Sequence, residues 1–307
     1  MTLLKTNIAK VLCRRRFGAS IRGGRLVVVI DQGAVDVAVV SGGEFGPDPQ
    51  EVFSRWDAFT RWVAGLDLGV VAAQPFEPER LGAPAPRPGQ LFAIGLNYRD
   101  HAAEAGFALP EFPPVFTKFR SSITGPRGPI MLAGETVDWE VELVVVIART
   151  ARDVAAEDAW AYVAGVTIGQ DISERTVQTA GPALQFSLGK SFPGFTPMGP
   201  WLVTVDELRA AGLNPDALDL GCSVNGEPVQ QGSTADLIFS VPALIATLSA
   251  VLPLAPDDVI FTGTPAGVGA ARDPSRFLRS GDVLASTISG VGELRHHFVA
   301  APVSVEV

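Results

Sequence analysis

Glu140 and Glu142 stand two residues apart in Asp138-Trp139-Glu140-Val141-Glu142-Leu143-Val144-Val145-Val146-Ile147. β-Branched residues dominate the segment and no Gly or Pro interrupts it, which predicts a strand. Alternate residues of a strand share a face, so both carboxylates would project into one space. Like charges that close raise each other's pKa unless a cation lies between them. A hard divalent ion is the simplest such cation, and oxygen ligands suit Mg²⁺, Mn²⁺ or Ca²⁺. An edge strand with both acids in water fits the same spacing. Asp171 ends the mostly apolar run from Gly165 and is followed by Arg175 and Gln178. A third carboxylate there would complete one face of an octahedral ion and leave positions for water and substrate. A helix N-cap is the other reading of Asp171.

His101 and Glu104 form a second constellation, in Asn97-Tyr98-Arg99-Asp100-His101-Ala102-Ala103-Glu104. On a helical turn, residues three apart share a face. A carboxylate beside an imidazole raises its basicity and fixes its tautomer, as a general base requires. A surface ion pair is the plain alternative. The other two histidines, His296 and His297, are adjacent to each other, so His101 is the better candidate for chemistry.

An ordered series of motifs resembles the fumarylacetoacetate hydrolase family. It runs from Gly95-Leu96-Asn97-Tyr98 with His101 and Glu104, through Lys118 and Asp138-Trp139-Glu140-Val141-Glu142, to Gly169-x-Asp171-x-Ser173-x-Arg175 with Gln178. Gly189-Lys190-Ser191-Phe192, Pro197-Met198-Gly199-Pro200, Asn225-Gly226-Glu227 and Thr262-Gly263-Thr264-Pro265-Ala266-Gly267-Val268-Gly269 follow. The resemblance implies a metal site of Glu140, Glu142 and Asp171 for Mg²⁺ or Mn²⁺, and a water-activating dyad of His101 and Glu104. It implies Lys190 as a catalytic cation, and Tyr98, Lys118, Arg175, Gln178 and Thr264 as substrate-binding residues. The last Gly-rich segment lacks the Lys and spacing of a phosphate-binding loop; the resemblance makes it a turn that contacts the substrate carboxylate. Gln170 stands where the family usually has Asn. Ile94 stands where longer relatives have a fourth metal carboxylate. That places the chain with the three-carboxylate branch of acylpyruvate hydrolases, oxaloacetate decarboxylases and dienoate isomerases.

The elements that must position these groups follow from the rest of the chain. Its 307 residues are 47% hydrophobic and 19% charged, enough for one sizeable core and a smaller unit. A formal net charge of −9 argues against a nucleic-acid partner. Two cysteines in this length suggest free thiols in a reducing compartment such as the cytoplasm. Seven basic side chains and no acid within the first 30 residues resemble a transit peptide, but Leu26-Val27-Val28-Val29-Ile30 reads as a first strand. Leu237 to Pro256 is uncharged and mostly apolar, yet Ser240, Pro242 and Pro253 mark a short buried helix in place of a membrane span.

Residues 1–85 are expected to form a small N-terminal α+β domain, with a helix near Gln50 to Leu66. The Pro-rich run Ala83 to Gly89 serves as linker, and residues 90–307 form the catalytic domain. Strands and helices do not alternate regularly, so the fold class is α+β. The resemblance implies the family's mixed, rolled β-sheet. Gly106 to Pro114, rich in turn formers, is expected to be a lid. The functional expectation is a metal-dependent hydrolase that cleaves a carbon–carbon bond in a small 1,3-dicarbonyl acid of the acylpyruvate or fumarylpyruvate type. Oxaloacetate-type decarboxylation, keto–enol isomerisation and dienoate isomerisation are alternatives on the same site, and a non-catalytic metal-binding protein is a further one. A homodimer without a membrane partner is expected.

Overall fold

The computed structural model describes residues 10–15, 24–30, 33–67, 71 and 73–301; the first nine residues of the basic N-terminal stretch lie outside them. The fold is α+β, built on a curled, mixed sheet. Its strands run in the spatial order 33–36, 24–30, 10–15, 196–203, 163–170, 141–147, 259–261, 91–94 and 115–117. Most neighbours are antiparallel, but Val259–Phe261 pairs with Leu91–Ile94 in parallel. A second sheet orders 227–233, 219–224, 283–288, 292–299 and 127–131.

The strand Val141–Ile147 lies at the centre of the larger sheet and is buried along its whole length. A strand covered on both faces can be apolar at every position, which explains the unbroken Val-rich run. Its two faces serve different cores. Val141, Leu143, Val145 and Ile147 pack in a cluster with Leu220, Leu284, Leu294 and Phe298 of the second sheet. Val144 and Val146 pack on the opposite side with Phe261, Met198 and residues from the start of the chain, among them Leu26, Val28, Phe53 and Phe59. Glu142 belongs to this second face by alternation, and Glu140 lies just before the strand.

The N-terminal strand Gly24–Ile30 and the helix Trp56–Ala64 match the expected elements. Within the Pro-rich run, Ala83 and Ala85 are buried. Arg87 is tied to Asp48 and, through its backbone N–H, to Gln50. The segment is packed against what precedes it. The apolar stretch after Leu237 forms the helix Val241–Val251, capped by the Ser240 hydroxyl with Pro in its first turn. Among the described residues no helix is long and apolar enough to cross a membrane.

His296 is buried on the strand Gly292–Val299, with Nε2 3.0 Å from the Gly125 carbonyl. Burial drives its imidazole from the ordinary 6.5 down to about 4. Below about pH 6.5 the unfolded chain protonates this ring while the folded chain does not, so stability falls as the pH drops toward 4. Between about pH 7.5 and pH 5 this group is expected to remove about 2 kcal/mol. Urea midpoints of wild type and His296→Gln at both pH values check it. Identical losses in the two proteins would rule His296 out as the source.

Candidate active site

Val163–Gln170 runs antiparallel to the central strand, with Gly169 opposite Glu142 and Gln170 opposite Val141. Asp171 follows directly, and its N–H donates to the Glu140 carbonyl at 2.9 Å. The two strands thus deliver three acids to one end of the ladder. Ligand oxygens of Glu140, Glu142 and Asp171 all lie within 4.8 Å of one another, and all three residues are buried. Asp171 is not the N-cap of the short helix that follows; Glu174 caps it.

The strand expected from Asp138 onward is interrupted. Val137–Asp138 pairs elsewhere, and the main ladder resumes at Val141. Side-chain amides take over the freed backbone: the Gln170 Oε1 accepts from Glu140 N–H at 2.8 Å, and the Gln230 Oε1 accepts from Val141 N–H at 3.0 Å. Gln170 Nε2 in turn donates to Ser286 Oγ at 2.7 Å. Gln170 therefore fixes the main chain of one acid, and the change from Asn leaves the cluster intact.

Three cations surround the acids. Lys190 Nζ donates to Glu140 Oε2 and Asp171 Oδ2, both at 2.6 Å. Lys118 Nζ donates to Asp171 Oδ1 and the Lys190 carbonyl. Arg175 Nη2 lies 2.7 Å from both Asp138 Oδ2 and Glu140 Oε1. Asp138, buried and at the site's edge, also accepts the N–H groups of Gly269 and Ala270 at 2.7 and 3.0 Å. Sequence reasoning gave Asp138 no role; a carboxylate flanking a buried strand was the available signal.

The acids differ sharply in charge balance. Burial would raise Glu140, but the charges of Lys190 and Arg175 outweigh it and hold the carboxyl down at about 2. Burial, then Asp171 and Glu140, push Glu142 well above the usual carboxylate range. Its hydrogen-bond donor is the neutral Gly263 N–H at 2.7 Å. The cluster has one acid without a cation of its own. Burial lowers Lys118 in spite of Asp171, whereas Asp171 and Glu140 overcome burial and raise Lys190. Three hard oxygen donors and an unbalanced charge fit a divalent ion, whose oxygen ligands sit about 2–2.6 Å away. The three acids could hold such a metal.

His101 and Glu104 lie on the helix Arg99–Glu104, as their spacing predicts. Nδ1 is 2.7 Å from Glu104 Oε1. Ionised Glu104 can only accept, so Nδ1 carries the proton and Nε2 is left as the base. The charge of His101 also acts on Glu140, after those of Lys190 and Arg175. Tyr98 is buried and its hydroxyl has no hydrogen-bond partner among the described residues. Burial, with Glu142 nearby, raises its pKa. Gln178 joins the network through Arg175, whose Nη1 donates to Gln178 Oε1 at 2.9 Å. The Thr264 hydroxyl donates to the Val141 carbonyl at 2.9 Å and accepts from Gln230 at 2.8 Å. It braces the strand that bears Glu142. The segment from Gly106 to Pro114 is largely exposed and carries Phe107, Leu109 and Phe112 on its surface.

A curled mixed sheet that gathers three buried carboxylates, two lysines and a His–Glu pair at one end defines a candidate metal-assisted acid–base enzyme. Residues 90–299 match the family model described as fumarylacetoacetate (FAA) hydrolase C-terminal, and the chain belongs to the fumarylacetoacetate hydrolase family. The oxaloacetate tautomerase FAHD2A, mitochondrial, of Homo sapiens is 43% identical over 212 residues, 68% of this chain and 66% of the human protein. A crystal structure of a Mycobacterium smegmatis protein, 51% identical, covers 95% of this chain and 100% of that one with a TM-score of 0.87. The maleylpyruvate hydrolase from Sphingobium sp. SYK-6, solved with manganese(II) and pyruvate, is 30% identical, covers 95% and 100%, and gives a TM-score of 0.75. The family's enzymes thus include a tautomerase and a hydrolase.

Proposed function

We propose that this chain is a metal-dependent enzyme acting on small 2-oxo acids with a second carbonyl two carbons away, and that its reaction is keto–enol tautomerisation of an oxaloacetate-type dicarboxylate. The observation that carries the reading is the 2.7 Å His101–Glu104 pair, which Gly267 ties to Trp139, the neighbour of Glu140. Glu140, Glu142 and Asp171 would hold Mg²⁺ or Mn²⁺. When bound, such an ion supplies Lewis acidity toward a chelating 2-oxo acid. His101 Nε2 takes a proton from the carbon between the two carbonyls, while Glu104 accepts from Nδ1–H and steadies the imidazolium that results. A proton returned to the oxo oxygen gives the enol, and the reverse transfers regenerate the ketone. Lys190, buried and cationic, opposes the negative charge that develops on that oxygen. Arg175 and Lys118 supply further positive charge for the substrate carboxylates.

Tautomerisation needs one base and no water, and a relative 43% identical over 68% of this chain is an oxaloacetate tautomerase. Hydrolysis, the outcome expected from the sequence, is the second reading. The Sphingobium complex with pyruvate favours it, since pyruvate is what cleavage of an acylpyruvate leaves. There His101 would deprotonate a water aimed at the distal carbonyl.

Oxaloacetate and acetylpyruvate, each with Mg²⁺ or Mn²⁺, separate the two. Enol absorbance follows the exchange, and proton NMR identifies products. The expected result is faster oxaloacetate enol–ketone equilibration, abolished by EDTA, without release of pyruvate. Pyruvate from acetylpyruvate with no effect on oxaloacetate would transfer the assignment to hydrolysis. No effect on either would leave a metal-binding protein without this chemistry.

A further inference from the structure

One residue, Gly267, joins the acid strand to the dyad. Gly267 N–H donates to both oxygens of Glu104, at 2.9 and 3.1 Å. Its carbonyl accepts from the indole N–H of Trp139 at 3.1 Å and from Arg272 Nη2 at 3.3 Å. Trp139 is fully buried and sits between Asp138 and the metal-site residue Glu140. Arg272 is fixed by the Val229 carbonyl at 2.8 Å, and its Cζ lies 5.8 Å from the centre of the Trp139 ring. Two residues further on, Asp138 accepts the Gly269 N–H. Gly267 has φ +105°, and a Cβ there would meet the Val229 carbonyl oxygen at 2.1 Å, so no side chain can occupy the position.

From this connection we infer that Trp139 and Arg272 are positioning residues for proton transfer, acting on Glu104 through the backbone position of Gly267; the inference rests on the dyad reading above. Donors on the carbonyl fix the Gly267 backbone in place, and with its conformation confined against the Val229 carbonyl they fix the direction of its N–H. That N–H holds the Glu104 carboxylate in the orientation that receives His101 Nδ1–H. The turn from Gly267 to Ala270 is anchored to residues 138 and 139, so the distance between the base and the acids is set by the turn. Neither Trp139 nor Arg272 reaches the reacting atoms in this role. Their removal acts on the rate through the orientation of His101, and leaves the acids in place.

The test uses full-length Trp139→Phe, which deletes the indole N–H and keeps an aromatic ring, and Arg272→Met, with His101→Ala as control. Oxaloacetate with Mn²⁺ is the assay, calorimetry with Mn²⁺ gives metal affinity, and the hydrogen-bonded Nδ1 proton of His101 is observed by NMR. Each variant is expected to lower kcat about tenfold, with KM and Mn²⁺ affinity within about twofold of wild type, as for the loss of one orienting hydrogen bond. The acid limb of the kcat/KM profile is expected to move to lower pH, because a loosened carboxylate stabilises the imidazolium less. The Nδ1 proton should broaden or shift upfield. Should Trp139→Phe fail to fold, Arg272→Met reads the same quantities. An unchanged Nδ1 proton and pH limb, with His101→Ala inactive, overturn the relay and keep the dyad. A parallel fall in Mn²⁺ affinity also overturns it, because the effect would then run through Glu140. Activity surviving in His101→Ala fails the dyad reading itself, and the NMR signal still decides whether the turn orients the ring.

Discussion

Glu142→Gln is expected to abolish Mn²⁺ binding at millimolar concentration and all metal-dependent turnover, while the metal-free protein stays folded and unfolds at no lower temperature than wild type. Two terms set the direction. Glu142 contributes one of three hard oxygen ligands, and an amide oxygen is a weaker one. In the metal-free chain the same carboxylate is buried beside Asp171 and Glu140 without a cation of its own, so its charge is a burden that the neutral isostere removes. Glutamine preserves volume and leaves no cavity, and its side-chain carbonyl retains an acceptor for the Gly263 N–H. Calorimetric titration with Mn²⁺ and thermal unfolding with EDTA check the two halves. Unchanged affinity would remove Glu142 from the metal site. A large drop in melting temperature would mean that the carboxylate is needed to hold the Gly263 turn.

His101→Ala carries the second large effect. Tautomerisation of oxaloacetate is expected to fall about 10²–10⁴-fold, the usual contribution of a positioned acid–base group. Mn²⁺ affinity should stay near wild type, because the acids are held by Lys118, Lys190, Arg175 and the Gln170 and Gln230 amides, none of which touches the imidazole. Steady-state rates and calorimetry on one preparation give both numbers. A fall in metal affinity as large as the fall in rate would recast His101 as part of the cation site. Full retention of rate would remove the base from the mechanism.

The parts legible in the sequence are those governed by local rules. Period-two spacing put Glu140 and Glu142 on one face, and three-residue spacing put His101 and Glu104 on one helical turn. Ser240 and Pro242 marked the start of a buried helix for steric and capping reasons that act within four residues. What escaped depends on partners far along the chain. The strand breaks at Trp139 because its next amide donors are claimed by side chains 30 and 89 residues away. The bracing of Val141 by the Thr264 hydroxyl and Gln230 likewise joins residues far apart in the chain. The convergence of Lys118 and Lys190 on one aspartate has no signature in spacing; only the ordered motif series pointed to them.

The family model begins at residue 90, but the apolar face behind the acids does not. Val144, Val146, Met198 and Phe261 are covered by Leu26, Val28, Phe53 and Phe59. A protein trimmed to the recognisable region would keep every acid, lysine and histidine discussed above and would offer that bared face to solvent. Such a fragment would gain the adhesive surface of a half-built core and lose the rigid backing of the strand that aims Glu140 and Glu142. The stretch matched by the family model is therefore shorter than the core that backs the site, and grafting this site onto another scaffold would have to carry the covering residues between Leu26 and Val63 with it or redesign the face they shelter.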